Sequence, residues 1–258
     1  MRRKSGCNPV GCIACLGTDA GACEEQQQWE TEQLIELNEA SYGYGQNMLL
    51  RQIDLTIPEG AFYFLTGPSG AGKTTFLRLC YGELFPLDGE VRLLEQNPAV
   101  LSRDKIAQLR RRIGVVHQDC QFLDHLSVAE NIALPFIVAG RDPLDHSDEL
   151  NDLIRWVGLE DRRTAKPDTL SGGERQRAAL ARAVILSPDI LIADEPTGNI
   201  DWDMGQRVMT LLCELNRMGK TVLIATHDMN LIRTTAAQVT AKVLRLKDGV
   251  LSKAGTNL

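Results

Sequence analysis

The sequence has no apolar run long enough to cross a bilayer. Its most apolar stretch, Ile132 to Ala139, carries Pro135 and ends at Gly140-Arg141, well short of the ~20 residues a spanning helix needs. It also lacks any excess of positive charge, with 28 Lys and Arg against 34 Asp and Glu for a net charge of −6. A free nucleic-acid binder is ordinarily basic, so no nucleic-acid partner is expected. The basic start (Arg2, Arg3, Lys4) is not followed by the continuous apolar segment of a secretory signal. The expected location is therefore the cytoplasm, and action at a membrane would require another subunit. Internal repeats are absent, and the cysteine count of 7 is odd, unlike a closed disulfide framework.

What is present is a chain with 43% hydrophobic residues, enough for a real core. Cys80, Cys120 and Cys213 fall within ordered-looking elements and read as small apolar packers. Cys7, Cys12, Cys15 and Cys23 crowd the start. Four thiolates could bind zinc, but residues 1–31 are rich in Gly, Ala and Gln without periodicity, and read as a disordered extension. Ordered sequence is expected over 32–258.

Residues 33–40 and 49–57 alternate like strands, the second stopping at the turn signal Pro58-Glu59-Gly60. Ala61 to Leu65 reads as a buried strand running into Gly67-Pro68-Ser69-Gly70-Ala71-Gly72-Lys73-Thr74-Thr75 and a helix over 76–81. Segments 103–112, 127–139 and 147–158 read as helices, and 97–168 as an inserted helical subdomain. A helix from Gly173, strands at 190–193 and 221–225, a helix over 203–217 and a terminal strand pair (242–246, 250–251) follow. Strands alternating with helices imply an α/β fold with a largely parallel sheet.

Gly67 to Thr74 fits GxxxxGK[ST]. Its glycines let successive N–H groups curl around phosphate oxygens, and the helix that follows adds its positive end. Lys73 supplies a charge for the β- and γ-phosphates, and the Thr74 hydroxyl a ligand for Mg²⁺. The chemistry points to ATP with Mg²⁺. Ile190 to Ala193 is an apolar strand that delivers Asp194 and Glu195 to the sheet edge where ligands bind. Asp194 would hold Mg²⁺, and Glu195 would act as general base on water. His227 ends another apolar strand, as a γ-phosphate contact. Gln118 follows the short apolar strand Val115-Val116 and can complete the Mg²⁺ shell.

Leu170-Ser171-Gly172-Gly173-Glu174-Arg175-Gln176 resembles the LSGGQ signature of ABC ATPases. Ser171 and the Gly172 and Gly173 amides would cap a helix and make a second anion site. The resemblance covers about residues 33–251. It implies a P-loop NTPase cassette with a RecA-like core, an antiparallel β subdomain and an inserted α-helical subdomain. It further implies a homodimer with ATP sandwiched between P-loop and signature, and an integral membrane subunit as partner. Gly198 to Asp201 looks like the D-loop, which places Asp201 near the nucleotide. An aromatic upstream of the P-loop would stack on adenine; Tyr42 is favoured, and Tyr44 has slightly better spacing. In the family, a cleft beside Gln118 receives the membrane subunit, and here its neighbourhood includes Cys120, Phe122, Leu123, Leu126, Val128 and Phe136. Stretches such as 193–201 (ADEPTGNID) and 225–232 (ATHDMNLI) resemble the FtsE group of cell-division ATPases, whose partner is FtsX, with LolD-like and MacB-like ATPases next. Two features depart from that group: the cysteine-bearing start, and His117 where Phe is commoner.

Overall fold

Strands β1 (Gln33–Tyr44) and β2 (Asn47–Pro58) pair antiparallel. Along β2, Ile53, Leu55 and Ile57 are buried while Asp54 and Thr56 face out, the alternation of a half-buried sheet. Next, β3 (Phe62–Thr66) is buried along nearly its whole length, as a central parallel strand must be. It leads through the glycine-rich loop into α1 (Lys73–Cys80). Strand β4 (Asp88–Leu93) returns to pair antiparallel with β1, which makes a three-stranded sheet in the order β2-β1-β4. The sequence reading assigns no element to 88–93, because its partner lies far back in the chain, Ile35 opposite Leu93 and Ser41 opposite Asp88. The computed structural model describes residues 32–198 and 200–253. The expected disordered start, with its four cysteines, and Asn199 lie outside the described residues.

Helix α2 (Arg103–Arg110) precedes β5 (Ile113–Val116). Helices α3 (Val128–Val138), α4 (Ser147–Trp156) and α5 (Gly172–Val184) follow. Then come β6 (Ile190–Asp194), α6 (Trp202–Arg217), β7 (Thr221–Ala225) and α7 (Met229–Ala236). Strands β8 (Ala241–Lys247) and β9 (Val250–Lys253) complete the described chain. The second sheet is six-stranded, in the order β5-β6-β7-β3-β8-β9. All its pairs are parallel except β8 with β9. Among the described residues no helix is long and apolar enough to cross a membrane.

The expected helical stretch 97–168 divides in space. Within it, β5 pairs in register with β6, Ile113 opposite Ile190, so this part belongs to the parallel sheet. The short apolar run IGVV finds its hydrogen bonds there. The helical layer proper begins beyond β5. In it Val128, Ile132 and Phe136 of α3 meet Leu150 and Ile154 of α4 and Ala178 and Ala181 of α5 in one apolar cluster. Local chemistry sets the start of α3: Ser127 and Glu130 form a reciprocal capping box. Buried Asn131 then ties the preceding loop to the helix, its amide nitrogen donating to the carbonyls of Leu123, Leu126 and Ser127, and its oxygen accepting from Leu123 N. The remaining core lies on the two faces of the parallel sheet. Phe76, Leu77 and the antiparallel sheet cover one face; Leu180, Val208, Leu212 and Ile232 cover the other.

Candidate functional site at the carboxyl edge of the parallel sheet

The loops leaving β3, β5, β6 and β7 all emerge at the same sheet edge, because those strands run parallel and side by side. They enclose a cleft of about 630 Å³. Gly67 to Gly70 and Gly72 to Thr75 line it, with Gln118, Asp194, Glu195 and His227. The four loop-borne polar groups singled out in the sequence are thus brought together with the glycine-rich loop. Gly198, at the start of the stretch that resembles the D-loop, and Leu49 also line the cleft; only Leu49 was not anticipated. Leu49 carries no chemical signal, and only the fold of β2 over the loop puts it there.

Sterics fix the glycines of the loop. A Cβ on Gly67 would sit 2.3 Å from the Leu246 carbonyl oxygen of β8, far inside contact distance. Gly72 has φ 96° and caps α1 without any side-chain hydrogen bond, a conformation that L residues avoid. The first turn of α1 holds no acid, so its free amides face the cleft unneutralised. The Lys73 ammonium donates to the carbonyls of Gly67 (3.0 Å) and Pro68 (3.3 Å), which folds it back across the loop.

Thr74 Oγ1 donates to Asp194 Oδ2 at 2.6 Å. Burial, and then the neighbouring Glu195 carboxylate, raise the Asp194 pKa above its ordinary value, against the opposing pull of Thr74 and Lys73. A buried carboxylate under such pressure favours a cation beside it. The donors here are hard oxygens (a hydroxyl, a carboxylate and the Gln118 amide), the set that suits Mg²⁺. No group of three or more His, Cys, Asp or Glu that could hold a metal alone occurs among the described residues. The donors therefore fit an ion that arrives with phosphate oxygens of its own, as Mg²⁺ does on a nucleotide.

Glu195 occupies the left-handed region at φ 47°, where a non-glycine residue stores roughly 1–3 kcal/mol. Its N–H is pinned to the Ala225 carbonyl of β7 at 2.9 Å. His227 Nδ1 lies 2.9 and 3.0 Å from the two Glu195 carboxylate oxygens, and with its proton on Nδ1 it donates to them. This contact orients a carboxylate whose side chain is only 11% exposed.

The other predicted residues lie elsewhere on the chain. Ala71 belongs to the loop but does not line the cleft. Ser171 caps α5, its Oγ accepting from Glu174 N at 3.3 Å while Glu174 Oε2 accepts from Ser171 N at 2.8 Å. Ser171, Gly172 and Gly173 are not in the cleft wall. Asp201 caps α6, its Oδ1 accepting from Met204 N at 2.9 Å, also outside the wall. Tyr42 and Tyr44 meet edge to face at 5.3 Å between centroids. Tyr42 packs against the core and Tyr44 is exposed, and neither lines the cleft. The apolar residues expected to meet a membrane subunit are largely interior: Cys120, Val128 and Phe136 are buried, Phe122 and Leu126 are half-buried, and only Leu123 is exposed. Val128 and Phe136 pack the helical layer, Cys120 packs against the parallel sheet, and Phe122 touches both clusters.

A family model described as ABC transporter matches residues 50–198. The cell-division ATP-binding protein FtsE of Bacillus subtilis is 37% identical over 219 residues, covering 84% of this chain and 94% of the relative. The protein of the same name from Haemophilus influenzae is 42% identical over 184 residues, covering 71% and 84%. The lipoprotein-releasing system ATP-binding protein LolD of Idiomarina loihiensis is 37% identical over 229 residues, covering 86% and 98%. Among solved structures, the dimeric post-hydrolysis state of an ATP-binding cassette bound to ADP and Pi superposes with a TM-score of 0.77 at 33% identity, covering 86% of this chain and all of that one. The cleft, its two acids and these relationships lead to one conclusion: the chain belongs to the ABC transporter family, as one of its ATP-hydrolysing cassettes.

Proposed function

We propose that two copies of this chain clamp two ATP molecules between them and use their hydrolysis to drive an integral membrane subunit. The observation that carries this reading is the separation of the two anion sites. The P-loop lines the cleft of one copy, while Ser171, Gly172 and Gly173 at the start of α5 lie outside it. A second copy can supply the missing side, with Asp201 crossing the same seam. A relative solved as a dimer with ADP and Pi supports the arrangement.

ATP with Mg²⁺ supplies the scissile phosphoanhydride and the cation that screens its charge. The loop amides of residues 67–75 and the Lys73 ammonium bind and orient the phosphates. Thr74, Asp194 and Gln118 would hold the cation. Glu195 accepts a proton from the attacking water, and His227 keeps that carboxylate aimed. Neither Tyr42 nor Tyr44 lines the phosphate end; for adenine stacking, the exposed Tyr44 is better placed than Tyr42, which packs against the core.

The relatives named for cell division support a role beside an FtsX-type membrane subunit, at the cytoplasmic face of the bacterial plasma membrane. The LolD relative keeps lipoprotein release as a second reading, since its similarity spans nearly its whole length. Replacing the base, Glu195→Gln, should lower ATP turnover on the order of 10²–10⁴-fold and accumulate an ATP-bound dimer, read by light scattering. Turnover at the wild-type rate would remove Glu195 from the role.

A further inference from the structure

A groove of about 420 Å³ opens where the last turns of α4 and α6 meet the parallel sheet. It shares no lining residue with the nucleotide cleft. Its walls are apolar: Leu153 and Trp156 of α4, Val184 of α5, Leu191 of β6, and Leu215 and Met218 at the end of α6. Val184 and Leu191 are buried and form the floor, while Trp156 and Met218 are exposed at the rim, Met218 to 73%. Large apolar side chains gathered around one concavity mark a surface that gains from being covered. The volume falls within the range of roughly 300–1,000 Å³ that small-molecule sites occupy.

Polar contacts hold this groove in shape. The Trp156 indole N–H donates to Glu214 Oε2 at 3.3 Å, which pins the ring to α6. The Lys220 carbonyl accepts from Asn216 Nδ2 at 2.9 Å and its N–H donates to the Leu215 carbonyl at 3.1 Å, so the backbone at the rim is fixed on both sides. Ser187 occupies the left-handed region at φ 51°, a strained conformation of the kind found at ligand clamps. Its carbonyl accepts from the Lys220 ammonium at 3.0 Å. That carbonyl is the ammonium's only partner among the described residues, and no carboxylate there pairs with it. The one carboxylate in the lining, Asp152, is taken by Arg155 at 2.8 Å. The rim therefore sets an ammonium without a counter-charge beside an apolar floor. Hydrogen bonds from an ammonium to an anion are about twice as strong as those between neutral groups, so an anionic ligand gains most there.

We infer that this groove binds a free, small amphiphilic carboxylate, its apolar body on Val184 and Leu191 between Trp156 and Met218, and its carboxylate on the Lys220 ammonium. A compact ligand suits the site better than a peptide strand, because β6 is flanked by β5 and β7 and has no open edge. The inference needs neither the ATP chemistry nor the dimer. Its occupant touches the helical layer through α4 and the sheet through β6, the strand that ends in Asp194. Binding would therefore bridge the two layers.

The test uses the full chain carrying Trp29→Phe and Trp202→Phe, which leaves Trp156 as the sole indole and as the reporter. Three probes with the same tail are titrated below their aggregation limits: decanoate, decanol and decylammonium. Trp156 fluorescence should respond saturably to decanoate. Decanoate should bind about tenfold more tightly than decanol and more tightly still than decylammonium, with the margin shrinking in salt. Shortening decanoate to octanoate should cost about tenfold, as lost apolar burial. Lys220→Gln should bring decanoate and decanol within about twofold, and Lys220→Arg should restore the preference. Met218→Ser, at an exposed position, should weaken all three probes by a similar factor of about threefold. The comparison of probes stands without any Lys220 variant, so a variant that failed to fold would not shield the claim. Equal affinities for the three probes, a decanoate response that never saturates, or a preference that survives Lys220→Gln would each overturn the inference. So would anionic lipid vesicles that bind through Lys220 and are not displaced by decanoate, since the ligand would then be a membrane surface and not a free molecule.

Discussion

Two helices of this protein begin at glycine-rich, anion-seeking sequences, and they are finished in opposite ways. Helix α1 starts after Gly72, with no side-chain cap and no acid in its first turn. Its amides are left open, and Lys73 lies folded over them. Helix α5 starts at Ser171 with a complete capping box, and Glu174 in that box is held again by Arg162 at 2.8 Å. The Arg162 guanidinium, followed by the Ser171 N–H, pulls the Glu174 pKa down to about 2. One terminus is thus ready for phosphate, while the other has part of its positive end answered by its own carboxylate. What α5 still offers is the pair of N–H groups on Gly172 and Gly173, which the box does not use. In the proposed dimer, a ligand held firmly by α1 and only touched by α5 of the other copy would suit a seam that opens again after each turnover.

Three measurements can break or sharpen that contrast. The largest effect should come from Lys73→Ala. Losing a charge-assisted contact to phosphate costs about 3 kcal/mol, on the order of 100-fold in ATP affinity, read by calorimetric titration of the monomer; an unchanged affinity would mean the α1 end is not the primary site. Ser171→Ala should cost the fold about 1 kcal/mol through the lost cap, read from denaturant midpoints. It should leave monomer ATP affinity within about twofold, because the first-turn amides of α1 are untouched, while abolishing ATP-dependent dimerisation. If it weakens monomer binding as much as Lys73→Ala does, the two helix ends are not distinct. The smallest effect is that of pH on Glu174. With its folded pKa near 2 and its ordinary value 4.5, its contribution to stability is fully present above pH 4.5 and drains away as the pH falls towards 2. Acid unfolding of Glu174→Gln should therefore differ from the unaltered chain most above pH 4.5 and converge with it below about 2. A constant difference across that range would show that the carboxylate is not held as described.

Most of the nucleotide cleft could be read without coordinates because each of its parts is a local construction. Glycine spacing, a lysine at a helix start and an apolar strand ending in two acids specify their own geometry within a few residues. The Ser171 cap and the Asp201 cap are local in the same sense. The elements that escaped reading depend on distant partners. Strand β4, with its sequence DGEVRL, carries little apolar signal and exists because β1 offers it hydrogen bonds. Helix α7 hides behind the Asp228 cap, which reads equally well as the tail of a loop. Strand β5 reads as short and apolar, but its place at the edge of the parallel sheet is set by β6.

The same division holds at the two surfaces. The sequence by itself nominated the groups proposed for the ATP chemistry: those for phosphate, those for a cation, and the carboxylate for water. Tertiary structure alone decided which apolar residues around Gln118 became core and which became a wall. It buried Cys120, Val128 and Phe136, and it gathered Arg110 at the end of α2, Arg111 just beyond it and Arg182 of α5 around an apolar cleft. The physical reason is range. A backbone loop is shaped by the steric preferences of its own residues, whereas burial and unpaired charge are properties of what the rest of the chain brings alongside.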